Sequence, residues 1–156
     1  MKKEHLTENE VITGVENFLK CKGITEVKRV VNKADASVKE HGVDIHFKLE
    51  NKKGNGNHYF IEAKGNKRSD GTVVCSSFNT NFRWAISQIV LRIKVDPRKY
   101  NYIYGIAVPN SEIPKCIDMI RENWALKHLK IRLYGAYRNE NGILSAIEYK
   151  PSRIYD

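Results

Sequence analysis

Apolar residues in this chain recur with two periods, and the switches between them set out an order of elements. Thr7-Glu8-Asn9-Glu10 reads as a capping box, with Thr7 as N-cap and Glu10 reaching back to it. Val11, Ile12, Val15, Phe18 and Leu19 then form one stripe at helical spacing and Gly23 ends it, which predicts a helix over 7–22. The run TEVKRVVN predicts a strand at about 25–32. Two further strands, 43–50 and 57–64, flank Asn51-Lys52-Lys53-Gly54-Asn55-Gly56, a link rich in turn formers that suits an antiparallel hairpin. A loop from Gly65 to Thr80 follows, long enough to carry function. Residues 81–94 read as a second helix, with Phe82, Ala85, Ile86, Ile89, Val90 and Ile93 facing the core and Asn81, Gln88 and Arg92 on one polar edge. A strand at 101–109 leads to a third helix at about 112–127, with Ser111 as its cap and Pro114 in its first turn. Strands at about 130–138 and 144–149 close the chain around the turn Asn139-Glu140-Asn141-Gly142. The expected class is α/β, in the order α-β-β-β-α-β-α-β-β, with no internal repeat, low-complexity segment or linker.

Composition narrows the class of partner. A length of 156 residues suits one domain, 1–156, able to bury a core without covalent staples. Lys and Arg number 27 against 18 Asp and Glu, a net charge of +9. Such an excess favours a polyanion, with nucleic acid the default, although a generally basic surface would give the same sum. Cys21, Cys75 and Cys116 form no CxxC pair and read as reduced cytosolic thiols. The apolar runs are too short for a membrane span or a signal peptide, so a cytoplasmic location is expected. His5, His41, His58 and His128 are scattered without a metal-binding motif, and the glycine signatures of nucleotide binding and serine hydrolases are absent.

Three charges in the hairpin change the picture. Asp44 lies near the start of one strand, and Glu62 and Lys64 near the end of the next. With the turn centred near Lys53 and Gly54, Asp44 falls opposite Ala63 and Lys64. A period of two places Glu62 and Lys64 on one face and Ile61 and Ala63 on the other. Two hard carboxylates beside a lysine can share a divalent ion and act on a phosphodiester. The plainer reading is an exposed cross-strand ion pair. Glu8 falls within the apolar stripe of the first helix, where an unpaired carboxylate is costly, unless it is a solvated first-turn acid favoured by the helix dipole. His46 shares the face of Asp44 and reads as structural, while Trp84 and Leu91 lie off the main stripe of the second helix.

The segment GVDI, a hairpin, and an apolar strand ending in EAKG resembles the PD-(D/E)xK signature of the restriction-endonuclease-like nuclease superfamily. Val43 stands where the signature has proline. The resemblance spans most of the chain and implies a restriction-endonuclease-like mixed β-sheet flanked by helices. It also implies Mg²⁺, with Mn²⁺ able to substitute, held by Asp44, Glu62 and the carbonyl of Ala63, with Lys64 orienting or deprotonating the attacking water. Glu8-Asn9-Glu10-Val11 is similar to a segment of related Holliday-junction resolvases whose first-helix glutamate completes the metal site. Gln88 resembles a glutamine that some branches carry near the catalytic lysine. Lys67, Arg68, Ser76, Ser77, Asn79 and Arg83, in or beside the long loop, suit phosphate contacts. The implied activity is an endonuclease acting on DNA, and cutting both strands would favour a symmetric homodimer. The alternatives are a catalytically silent nucleic-acid-binding or assembly module of the same fold, and a hydrolase of another phosphate ester.

Overall fold

A computed structural model describes residues 4–24, 26–29, 44–50, 56–74, 78–93 and 101–155. The first helix, α1 (Glu8–Cys21), begins as its capping box requires: Glu10 N–H donates to Thr7 Oγ1, and Thr7 N–H donates to a Glu10 carboxylate oxygen at 2.7 Å. Six strands follow, β1 (Val27–Arg29), β2 (Ile45–Glu50), β3 (Gly56–Ala63), β4 (Tyr102–Pro109), β5 (Arg132–Arg138) and β6 (Leu144–Tyr149). They form one mixed sheet whose spatial order equals the chain order. The pairs β1–β2, β2–β3 and β5–β6 are antiparallel, and β3–β4 and β4–β5 are parallel. A parallel pair needs a crossover, and α2 (Phe78–Arg92) supplies it between β3 and β4. Residues 25 and 30–32 of the expected first strand, and the turn at 51–55, lie outside the described residues.

Each face of the sheet has its own core. On one side Val11, Ile12, Val15 and Leu19 of α1 pack with Ile45, Phe47, Tyr59, Ile61 and Ala136. On the other, Phe78, Phe82, Ala85 and Ile89 of α2 pack with Tyr104, Ile106 and Leu133. The hairpin register serves the first core. Ile45 pairs with Ile61 and Phe47 with Tyr59, so their side chains share the α1 face and the two rings stack at 4.4 Å. Continued one residue, that register sets Asp44 opposite Glu62, not opposite Ala63 and Lys64 as the sequence suggests. The even-numbered residues of both strands therefore face α2.

Four other expectations change. Helix α2 starts at Phe78 rather than at residue 81, because Phe78 and Phe82 lie one turn apart and are both buried. The preceding loop is shorter in consequence, and a bridge between Lys67 and Val73 folds it back on itself. The buried stripe of α2 is narrow, leaving Val90 at 45% exposure, and Trp84 and Leu91 are exposed too. The third helix is divided into a 3₁₀ turn (Asn110–Glu112), α3 (Ile113–Ile120) and α4 (Trp124–Leu129). Asn123 makes the break by capping α4, its side chain accepting from Leu126 N–H at 3.0 Å. Ser111 caps nothing; its hydroxyl donates to the Glu4 carbonyl. A short α5 (Pro151–Ile154) ends the fold, and the sequence reading had no place for it. Among the described residues, no helix is long and apolar enough to cross a membrane.

Helix α1 lies directly on the sheet through Gly14. A Cβ there would approach the Ser145 carbonyl oxygen to 2.8 Å and the Ala136 Cβ to 3.2 Å. Gly14→Ala gains about 1 kcal/mol of helix propensity but forces helix and strand apart, at a cost of roughly 1–3 kcal/mol. Urea denaturation should find the variant less stable than the natural chain, against the sign expected of Gly→Ala in an exposed helix.

Candidate active site

The parallel register of β3 and β4 brings their C-terminal ends side by side, and Lys64 N–H extends the pairing to the Ala107 carbonyl at 2.9 Å. At that end the chain start is fastened to the strand. Leu6 N–H donates to the Asn66 side-chain oxygen at 2.9 Å, and the Leu6 carbonyl accepts from the N–H groups of Asn66 and Lys67. Asn66 and Glu112 are both only 1% exposed, and the Asn66 amide donates to a Glu112 oxygen at 3.0 Å. The contact is so close that a Cβ on Gly65 would lie 2.6 Å from Glu8 N and Leu6 O. Only glycine lets the first turn of α1 approach here, and that approach delivers Glu8 to the end of β3.

Asp44, Glu62, Lys64 and Glu8 thus converge. One oxygen of Asp44 accepts from Ala63 N–H at 2.7 Å, which ties the head of β2 to the tail of β3. Lys64 donates to Glu62 at 2.9 Å and stands 3.5 Å from Glu8. Glu62 is 2% exposed, and its second oxygen accepts from Arg92 at 2.7 Å. Burial, then the negative charges of Glu62 and Glu8, outweigh the Ala63 hydrogen bond and Lys64 and raise the Asp44 carboxyl to about 6. Lys64 is raised as well: burial opposes its charge, but the bond to Glu62 and the charges of Glu62, Glu8 and Asp44 prevail. A lysine so held is an ammonium at neutral pH, a donor and a charge rather than a base.

Of the other expected residues, Gln88 lies one turn before Arg92 on α2, and its side-chain oxygen is buried without a hydrogen-bond partner. Lys67 and Arg68 line a cleft of about 490 Å³ beside the acids, together with Glu8, Asn9, Ser69 and Asn81. Asn79 and Arg83 are exposed on α2 and do not line it, while Ser76 and Ser77 fall outside the described residues. His46 stacks on Phe60 at 4.7 Å and faces His58, and burial, then His58 and Lys28, lower its pKa; it belongs to an aromatic ladder. Arg92 is the site residue that the sequence reading missed. Its place on one helix edge with Asn81 and Gln88 was the available signal, but nothing local named Glu62, 30 residues away, as its partner.

Among the described residues, no set of three or more His, Cys, Asp and Glu side chains converges as metal ligands. The donor chemistry nevertheless suits Mg²⁺, which takes one or two carboxylates and fills its remaining positions with water and phosphate oxygens. Asp44 and Glu62, with the Ala63 carbonyl, are the groups that would hold it. The raised Asp44 carboxyl marks a surplus of negative charge that a divalent ion would relieve.

That surplus gives a pH dependence. Because Asp44 binds its proton more tightly folded than unfolded, folding stability falls as pH rises from about 3.8 to about 6. Asp44→Asn keeps the acceptor for Ala63 and removes the charge. In EDTA at pH 7.5 it should be more stable than the natural chain by roughly 1–3 kcal/mol, with the gain vanishing near pH 4. Urea denaturation at the two pH values checks both the sign and the window.

Comparison with models of known protein families, with curated proteins and with solved structures yields no match to this chain.

Proposed function

We propose that the chain is a Mg²⁺-dependent endonuclease of the PD-(D/E)xK kind acting on DNA. The observation that carries this reading is the meeting of Asp44 and Glu62 with Lys64 where β2 begins and β3 ends. Asp44 and Glu62 would hold the ion, and Glu8 stands within reach of the same lysine. When bound, the ion would polarise the scissile phosphate and lower the pKa of a water. Lys64, charged and anchored to Glu62, donates to the attacking water or to a non-bridging phosphate oxygen, and so offsets charge that builds on the phosphate. Lys67, Arg68 and Ser69 give the adjoining cleft cationic and polar groups for the sugar-phosphate backbone, in keeping with the net charge of +9.

One observation favours the second reading, a silent binding or assembly module. Glu62 is already paired with two cations, so that carboxylate has its counter-charges without a metal. Supercoiled plasmid with Mg²⁺ or Mn²⁺ separates the two. The natural chain should nick or linearise it, and Asp44→Ala should lower the rate by about 10²-fold or more while folding normally. Equal rates for the two proteins would refute the assignment, and a panel of single strands, duplexes, flaps and four-way junctions would then name the substrate of an active enzyme.

A further inference from the structure

Glu62 is the deepest charge in the site, and its two partners differ in how they are held. Lys64 lies two residues on, just past the end of β3, and its side chain spans the gap between Glu62 and Glu8. Arg92 reaches Glu62 from the last turn of α2, at 2.7 Å, on a long side chain that keeps 21% of its surface in solvent. The backbone fixes the lysine near the carboxylate, whereas the guanidinium reaches it on a long side chain with several rotatable bonds.

We infer that Arg92 is a resident counter-cation, which holds the Glu62 carboxylate in the metal-free protein and yields that oxygen to a divalent ion. The inference rests on the metal-site reading given above. Mg²⁺ sits about 2.1 Å from a carboxylate oxygen, so an ion on the Arg92-bound oxygen would face the guanidinium at close range across one acceptor. Two cations so placed repel, and the more compact, doubly charged one holds the carboxylate more strongly. Arg92 then becomes available to another acceptor. The Gln88 side-chain oxygen, buried without a partner, lies one turn back on the same edge of α2, and a phosphate oxygen entering the site is a stronger one. The same residue would thus keep a buried carboxylate neutralised before the metal arrives and become a phosphate ligand afterwards.

The test is calorimetric titration of the full chain with Mn²⁺ alone, without DNA, for the natural protein, Arg92→Gln and Arg92→Lys, paired with thermal unfolding. Arg92→Gln should bind Mn²⁺ about tenfold more tightly, because no cation has to leave. It should melt below the natural protein in EDTA, since Glu62 has lost a partner, and saturating Mn²⁺ should close the gap. Arg92→Lys should restore both properties toward those of the natural chain. Mn²⁺ binding to the natural protein with no gain in Arg92→Gln would overturn the inference and leave the metal site standing. No binding to any of the three would overturn both. Should Arg92→Gln fail to fold, Mg²⁺ titration of the natural protein with guanidinium ¹⁵N NMR decides: the Arg92 signal must shift with the ion, and an unchanged signal refutes the exchange.

Discussion

The burial of the Glu62 carboxylate is the constraint around which this end of the molecule is arranged. A charge taken out of water needs partners that return most of its lost hydration. Glu62 has two, one from just past the end of its own strand and one from α2, and they fasten that helix to the sheet at the point where the candidate chemistry lies. Such an arrangement adds little stability over a well-packed apolar one, and its value lies in fixing where the carboxylate points. Asp44 next to it has its proton affinity raised first by its own burial and then by the Glu62 charge.

Around this carboxylate the strands and helices act as a positioning frame. Strand β3 carries Glu62 and leads directly into Lys64, the Ala63 amide holds Asp44, and the parallel neighbour β4 fixes the level at which β3 ends. Acidic and basic groups nearly balance there, three carboxylates against two cations, and the balance is local. The cleft beside it is lined by Lys67 and Arg68 together with Glu8 and Asp70, so both signs of charge meet there.

Much of this was legible from the residues alone. The capping box at Thr7 and Glu10, the stripe of α1 and the alternation of the hairpin are local signals, and each formed as its pattern required. The register was read one to two residues off because turn composition fixes it loosely, whereas the burial of Ile45 with Ile61 and Phe47 with Tyr59 fixes it firmly. The helix after β4 was read as continuous because its apolar spacing runs through the break that Asn123 imposes. Asp44, Glu62 and Lys64 were visible as charges misplaced in apolar strands. Arg92 was not, since an arginine on a helix edge looks alike whether it meets solvent or a buried acid. Asn66 and Glu112 were hidden for a similar reason: their bonds are long-range, and an asparagine after a glycine reads as loop.

The close approach at Gly65 bears on how the site comes into being. The bond from Leu6 to Asn66 closes a loop of 60 residues, and the hairpin carrying Asp44, Glu62 and Lys64 lies inside that loop. Hairpin contacts are nearer in sequence and cost less entropy to form than the docking of the N-terminal arm. Glu8 joins the other acids only when that arm seats against residues 65–67. A chain whose arm has frayed keeps its strands and three of the four converging charges, and lacks the fourth. The completeness of the site is therefore a report on tertiary closure, lost earlier than the sheet on which it is built.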